Sequence, residues 1–183
     1  MEYSKKSGDN ESLFVLLLNI GSLWIDRKNY SKAREYLEDG LKRSRIAVDL
    51  DNETYFLCNM TDLEIKTNNL EQAITYQAAG LALSEKLGSK FLTSIFLAQK
   101  GEILLHQRDF KGGLDVCEQS LELAQSIGAN ETLAESLFIK AQLLLLSGNV
   151  DAAHENAQKS LELFSQMERH RAVEVKNFLE QFG

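Results

Sequence analysis

The sequence has no proline, two cysteines and one tryptophan in 183 residues. Each scarcity removes a class of protein. Without proline the chain has few of the fixed turns that a turn-rich β fold uses, and long uninterrupted helices become the expectation. Two cysteines cannot build a disulfide scaffold. Nothing at the start reads as a secretory leader, so a reducing, cytoplasmic setting is expected. Apolar runs are also short. The longest, Leu13 to Ile25, is broken by Asn19 and falls below the roughly 20 residues that span a bilayer, so no membrane partner is expected. Positive charge is the minority sign, with 20 Lys+Arg against 27 Asp+Glu and a net charge of -7, which disfavours nucleic acid as a partner. What remains, 44% hydrophobic and 26% charged residues, is enough to fold.

The chain repeats itself. A shift of 40 aligns Asn29, Asn69, Asp109 and Asn149, and next to them Tyr30, Leu70, Phe110 and Val150. Three residues on come Ala33, Ala73, Gly113 and Ala153, and later Leu41, Leu81, Leu121 and Leu161. Each 40-residue unit reads as two helices. In the first unit one helix is expected over 12–27, with Phe14, Leu17, Gly21 and Trp24 on one face. Asn29 is suited to cap the second, whose apolar stripe is Tyr30, Ala33, Leu37, Gly40 and Leu41. Asn69 with Gln72 predicts a capping box in the second unit. Small residues recur inside the periodic stretches, at Gly21, Thr61, Gly101 and Ala141 and at Ala33, Ala73, Gly113 and Ala153. A bulky side chain there would hold paired helices apart.

These residues resemble the tetratricopeptide repeat family, whose unit carries a small residue at its eighth position, an aromatic at its seventeenth and Ala at its twentieth; here they are Gly21, Tyr30 and Ala33. The resemblance covers almost the whole chain. It implies an all-α fold, an alpha-alpha superhelix of four helical hairpins with a C-terminal capping helix. The usual repeat is 34 residues long, so a period of 40 is similar to the extended variety found in adaptor and peptide-sensor proteins. Departures are the missing proline and a degenerate second unit, with Thr61, Glu64 and Gln77 in place of small, aromatic and apolar residues. The expected boundaries are 9–48, 49–88, 89–128 and 129–167 for the repeats, with a capping helix at 168–183 whose apolar residues include Val175, Phe178 and Phe182. Residues 1–8 are expected to be the tail of a preceding repeat helix, because 2–11 align with 122–131, Gly8 falling over Gly128.

Catalytic and metal chemistry finds no pattern to stand on. The spacings CxxC, HExxH and HxxxH do not occur, and no phosphate-binding glycine loop or nucleophile elbow is present. Cys117 shares a column with Leu37, Gln77 and Ala157 and reads as a small core residue, while Cys58, with Leu18, Ala98 and Phe138, is expected on the inner face. His106, beside Asp26, Lys66 and Leu146 in its column, reads as solvated. No enzyme activity, cofactor or metal is expected.

By resemblance the first helices line a groove. One groove column reads Asn19, Asn59, Gln99, Ile139, and a row of side-chain amides offers donors and acceptors to the backbone of an extended peptide. The competing reading is that these are polar residues of a wet helix face or of contacts between helices. The next column, Ser22, Asp62, Glu102 and Gln142, together with Asp26, Glu135 and Lys66, carries a net charge of about -3, favouring a basic or neutral segment. Val15, Tyr55, Ile95 and Phe138 could anchor apolar side chains, or belong to the core between helices. Asn19, Ser22, Tyr55, Asn59, Asp62, Gln99, Glu102, Phe138 and Gln142 are therefore the expected peptide-binding residues. A clamp for a C-terminal carboxylate is disfavoured, because Leu18, Ser22, Ile95 and Gln99 stand where chaperone-binding members carry Lys and Arg.

Two functions fit. One is a protein-interaction module that holds an extended, basic or apolar segment of a protein or peptide and belongs to a larger protein. The other is a ligand- or peptide-sensing domain of a signalling or transcription regulator. An uncapped N-terminal repeat also points to a homodimer.

Overall fold

A computed structural model describes residues 2–167 and 170–182, with side chains described from residue 11 to 167 and from 170 to 181. The described residues form nine α-helices and no strand: α1 Glu2–Asp26, α2 Tyr30–Ala47, α3 Leu50–Lys66, α4 Leu70–Lys86, α5 Lys90–His106, α6 Phe110–Ile127, α7 Asn130–Leu146, α8 Val150–Gln166 and α9 Arg171–Leu179, followed by a 3-10 turn Glu180–Phe182. The protein is all-α, built from four hairpins and a closing helix, and it divides into two compact units, Met1–Leu87 and Gly88–Gly183. Among the described residues no helix is long and apolar enough to cross a membrane.

Local chemistry ends and restarts each helix on the same beat. Residues 28, 48, 68, 88, 108, 128 and 148 all adopt positive φ, one every twentieth position. Three are glycines, which take this geometry at no steric cost; Val48, at φ 55, is the least suited to it. The next residue then caps the new helix. Asn29, Asp49, Ser89, Asp109 and Asn149 each accept from the backbone N–H three positions on, satisfying an amide that has no partner within the helix. Asn69 is the exception to the expected capping box. Its side chain makes no cap bond, and instead Nδ2 donates to Glu64 Oε2 at 2.9 Å. A buried carboxylate in reach outcompetes the helix end.

In the first unit α1 packs on α2 and α3, and α3 packs on α2 and α4. The small residues do what their spacing predicts. A Cβ at Gly40 would collide with the Phe56 ring, and one at Gly21 with Leu37. Phe14 meets Phe56 edge to face at 6.0 Å. Glu64 is fully buried, yet it is not an orphan: Arg34 on α2 grips both of its oxygens, with Nη2 to Oε2 at 3.0 Å, and Thr67 and Asn69 add contacts. That hydrogen bond to Glu64 is the main reason the Arg34 pKa is raised. The degenerate second repeat is therefore paired to the first by charge.

In the second unit α5 packs on α6 and α7, α7 on α6 and α8, and α9 on α8. A Cβ at Gly113 would come within 2.8 Å of Leu143 Cδ2, and one at Gly101 within 2.7 Å of Cys117 Sγ. Buried hydroxyls tie the helices together, within a repeat and, at Ser120 and Ser136, between two. Ser120 Oγ donates to the Ser94 carbonyl at 2.8 Å and lies 2.8 Å from Ser136 Oγ, and Ser160 Oγ donates to the Ala134 carbonyl at 2.7 Å. Val175 and Phe178 of α9 complete a core with Phe138, Ala157 and Phe164.

α1 begins at Glu2, ahead of the helix start expected at residue 12, and Gly8 lies inside it. Glycine permits a left-handed turn but does not compel one. The expected start of the last helix at 168 lies outside the described residues, as does the side chain of Phe182.

Candidate functional site

The face of interest is built by first helices lying side by side, α1 with α3 in one unit and α5 with α7 in the other. Each helix carries the groove columns at the same register, so what differs is how far each side chain is covered.

On α1 and α3 the face is open. Asn19 and Ser22 are exposed, Tyr55 keeps 42% of its surface in solvent, and Asn59 and Asp62 are half-buried. Val15 is exposed beside them, with Leu18 and Cys58 half-buried. The combination is two side-chain amides, a hydroxyl, a phenol ring and an aliphatic floor. The amides can donate and accept at once, and Tyr55 offers apolar area with a polar tip. Asp62 is not a bare acid: Lys66 Nζ stands 3.1 Å from its Oδ1.

On α5 and α7 the amide column is covered. Gln99 is only 8% exposed, and Ile139 packs with Ala98, Cys117 and Leu143. Gln99 therefore does not continue the row of accessible amides. Phe138 is a second correction. It is 4% exposed, its ring meets Phe178 edge to face at 5.4 Å, and the Arg171 guanidinium lies 5.5 Å above it. The anchor expected for a foreign side chain is occupied by α9. Glu102 and Gln142 are half-buried, and His106 is exposed at the end of α5.

Arg171 is the residue that column reading missed. Its Nε lies 3.1 Å from Glu135 Oε1, and Nη1 also reaches Glu174. Burial opposes its charge, but Glu135, Glu174 and Glu102 outweigh that and hold its pKa above the usual value. Arg171 brings Glu174 with it, so Asp26, Asp62, Glu102, Glu135 and Glu174 against Lys66 and Arg171 keep the net at -3, divided between the two units. The sequence did hold a signal for this clasp, an arginine at the head of a helix whose other face is apolar.

Among the described residues no three of His, Cys, Asp and Glu converge as metal ligands. Cys117 is enclosed, and burial pushes its thiol up to about 12. A thiol so protonated is a poor nucleophile at neutral pH.

Comparison with known proteins follows the architecture. Models of the tetratricopeptide repeat match residues 92–166 and 15–52. No curated protein matches the sequence. Among solved structures, a Rap protein complexed with competence and sporulation factor superposes with a TM-score of 0.83 at 13% identity, over 91% of this chain and 47% of that one. A signal transduction ATPase with numerous domains (STAND) from Pyrococcus horikoshii, with a tetratricopeptide repeat sensor, gives 0.67 at 18% identity, over 88% of this chain and 25% of that one. BtubC from P. vanneervenii gives 0.70 at 16% identity, over 90% and 68%. The chain thus spans about half the length of the Rap protein and a quarter of the STAND protein. At such identities the likeness speaks for the fold.

Proposed function

The chain belongs to the tetratricopeptide repeat family, and from that premise we propose that it is a non-catalytic interaction module that takes an extended segment of a partner protein along the α1–α3 face. The contact set is Asn19, Ser22, Tyr55, Asn59 and Asp62. The observation that carries this reading is the joint accessibility of these side chains on two adjoining helices, while Gln99, the equivalent of Asn19 and Asn59, is enclosed. Amides at one register on neighbouring helices bond to a peptide backbone without regard to its sequence, and Tyr55 with Val15 supplies apolar area for its side chains. With Asp62 beside Lys66, the preferred segment is neutral to weakly basic. Two unbridged thiols, Cys58 and Cys117, suit a reducing cytoplasm.

The test is an array of extended peptides, neutral and basic, probed with the intact chain. For the best binder, Asn19→Ala with Asn59→Ala should weaken affinity roughly 10–30-fold, the loss of two hydrogen bonds of about 1 kcal/mol each, with circular dichroism unchanged. Unaltered affinity in the double variant would remove the reading.

A sensing role is the second reading, and it draws on two of the similar structures, a Rap protein in complex with a factor and a protein whose repeats are described as a sensor. Binding would then alter the spacing of the hairpins. Small-angle scattering with and without the best peptide separates the two readings, since a passive scaffold keeps its radius of gyration.

A further inference from the structure

Three residues near the end of α2, Lys42, Arg45 and Ile46, stand at a register that the repeat leaves in water. The third repeat, with a hairpin after it, carries Glu122, Gln125 and Ser126 there, and the fourth, with a hairpin before it, carries Glu162, Ser165 and Gln166; all six are exposed. The fold thus asks for nothing apolar or basic at these positions, on whichever side a neighbouring hairpin lies. Yet Ile46 is 74% exposed and Val48 76%, more than any other large apolar side chain among the described residues. Val48 is also held at φ 55, which a β-branched residue resists. An apolar pair kept in solvent at a cost to the backbone points outward. Ile46 lines a cleft of about 400 Å³ between α2 and α4, with Glu38, Leu41, Lys42, Arg45 and Tyr76. No residue of α1 or α3 lines it, so it is separate from the α1–α3 face. Burial, then Glu64 and Glu38, raise the pKa of the Tyr76 phenol, which stays a proton donor. Lys42 is exposed and makes no ion pair among the described residues, and Arg45 keeps half of its side chain in solvent although Glu53 holds its Nε at 2.8 Å.

We propose that this cleft is a second docking site, and that its occupant is an acidic segment of a partner protein carrying one large apolar side chain. The apolar side chain lies on Leu41, Ile46 and the Tyr76 ring, and the carboxylates beside it meet Lys42 and Arg45. Charge selects the acid. From the first repeat to the fourth, with Ala82, Glu85 and Lys86 in the second, the three positions carry +2, 0, -1 and -1, so only the first offers cations to an anion. Glu38, the one acid lining the cleft, stands 3.8 Å from Arg34 Nη1. The adjoining acids on α2 and its turn are engaged, Asp39 with Arg43 and Asp49 as the cap of α3. The preference is opposite to that of the α1–α3 face, so the two sites take different segments.

The probe is a fluorescein-labelled peptide of glutamate and serine around a single phenylalanine, titrated with the full chain and followed by anisotropy. Binding is expected below about 1 mM and should weaken as salt is added. Lys42→Glu with Arg45→Gln and Ile46→Ser gives the first repeat the residues of the third. Helicity should be kept, because all three side chains are exposed, and affinity should fall roughly tenfold or more. Ile46→Ser alone, which leaves both cations and the Arg45–Glu53 pair in place, is the milder variant and should weaken binding less. Asn19→Ala with Asn59→Ala should leave binding unchanged, which separates this site from the α1–α3 face. No binding below about 1 mM overturns the proposal. So do equal affinity for a peptide with lysine in place of glutamate, affinity that the triple variant retains, and a loss caused by the Asn19 and Asn59 pair. Self-association of the chain that the triple variant abolishes overturns it as well, since a second copy would then be the occupant.

Discussion

In the first unit the three left-handed turn positions are Lys28, Val48 and Asn68; in the second, glycine takes three of four, with Arg108 the fourth. The contrast extends inward. The first unit joins its repeats with a half-exposed Arg34 on the buried Glu64, the second with a contact of neutral hydroxyls, Ser120 to Ser136. It extends to the surface as well, where Asn19 and Tyr55 stay accessible while Gln99 and Phe138 are enclosed. Two stretches with one backbone plan thus differ in turn chemistry, in how their repeats are joined and in how far the amide column is covered.

The comparison can be broken at its strongest point by Phe178→Ala. Removing a ring that is buried on Phe138 should cost roughly 3–5 kcal/mol. Hydrogen exchange should quicken in α7 to α9 with little change in α1 to α3. Equal quickening in both halves would mean that the units do not differ in how they are held.

Arg34→Met comes next. It strands the fully buried Glu64 carboxylate, with a loss of about 3 kcal/mol in urea unfolding. Adding Glu64→Leu should recover most of it, because an apolar pair of similar volume has no charge to desolvate. If the double variant is no better than the single one, the pair is not the joint described here. The smallest effect is a gain. Val48→Gly should stabilise by roughly 0.5–1 kcal/mol, relief of a β-branched residue at positive φ offset by glycine's greater freedom when unfolded. An unchanged midpoint would show that the turn chemistry of the first unit carries no penalty.

Much of this was legible in the chain itself. The period of 40, the caps at Asn29, Asp109 and Asn149, and the close approaches at Gly21, Gly101 and Gly113 all follow from side-chain type at fixed spacing. The Arg34–Glu64 pair was half legible. Glu64 interrupts a column of Trp24, Leu104 and Leu144, while Arg34 shares one with Ile74, Leu114 and His154, so a negative and a positive charge stand on adjacent repeats. Accessibility was not legible. Asn19 and Gln99 share a register, but register locates a side chain on its own helix and is silent about what lies over it. For the same reason Phe138 read as an anchor until α9 was seen to cover it.

A left-handed residue at every twentieth position also limits how such a chain can change its length. Losing or gaining one leg of 20 would reverse the direction of every helix after it and turn first-helix faces into second-helix faces. Only multiples of two legs leave the downstream polarity intact. Viable length variants of this protein should therefore come in whole hairpins, and a single-leg duplication should scramble everything that follows it.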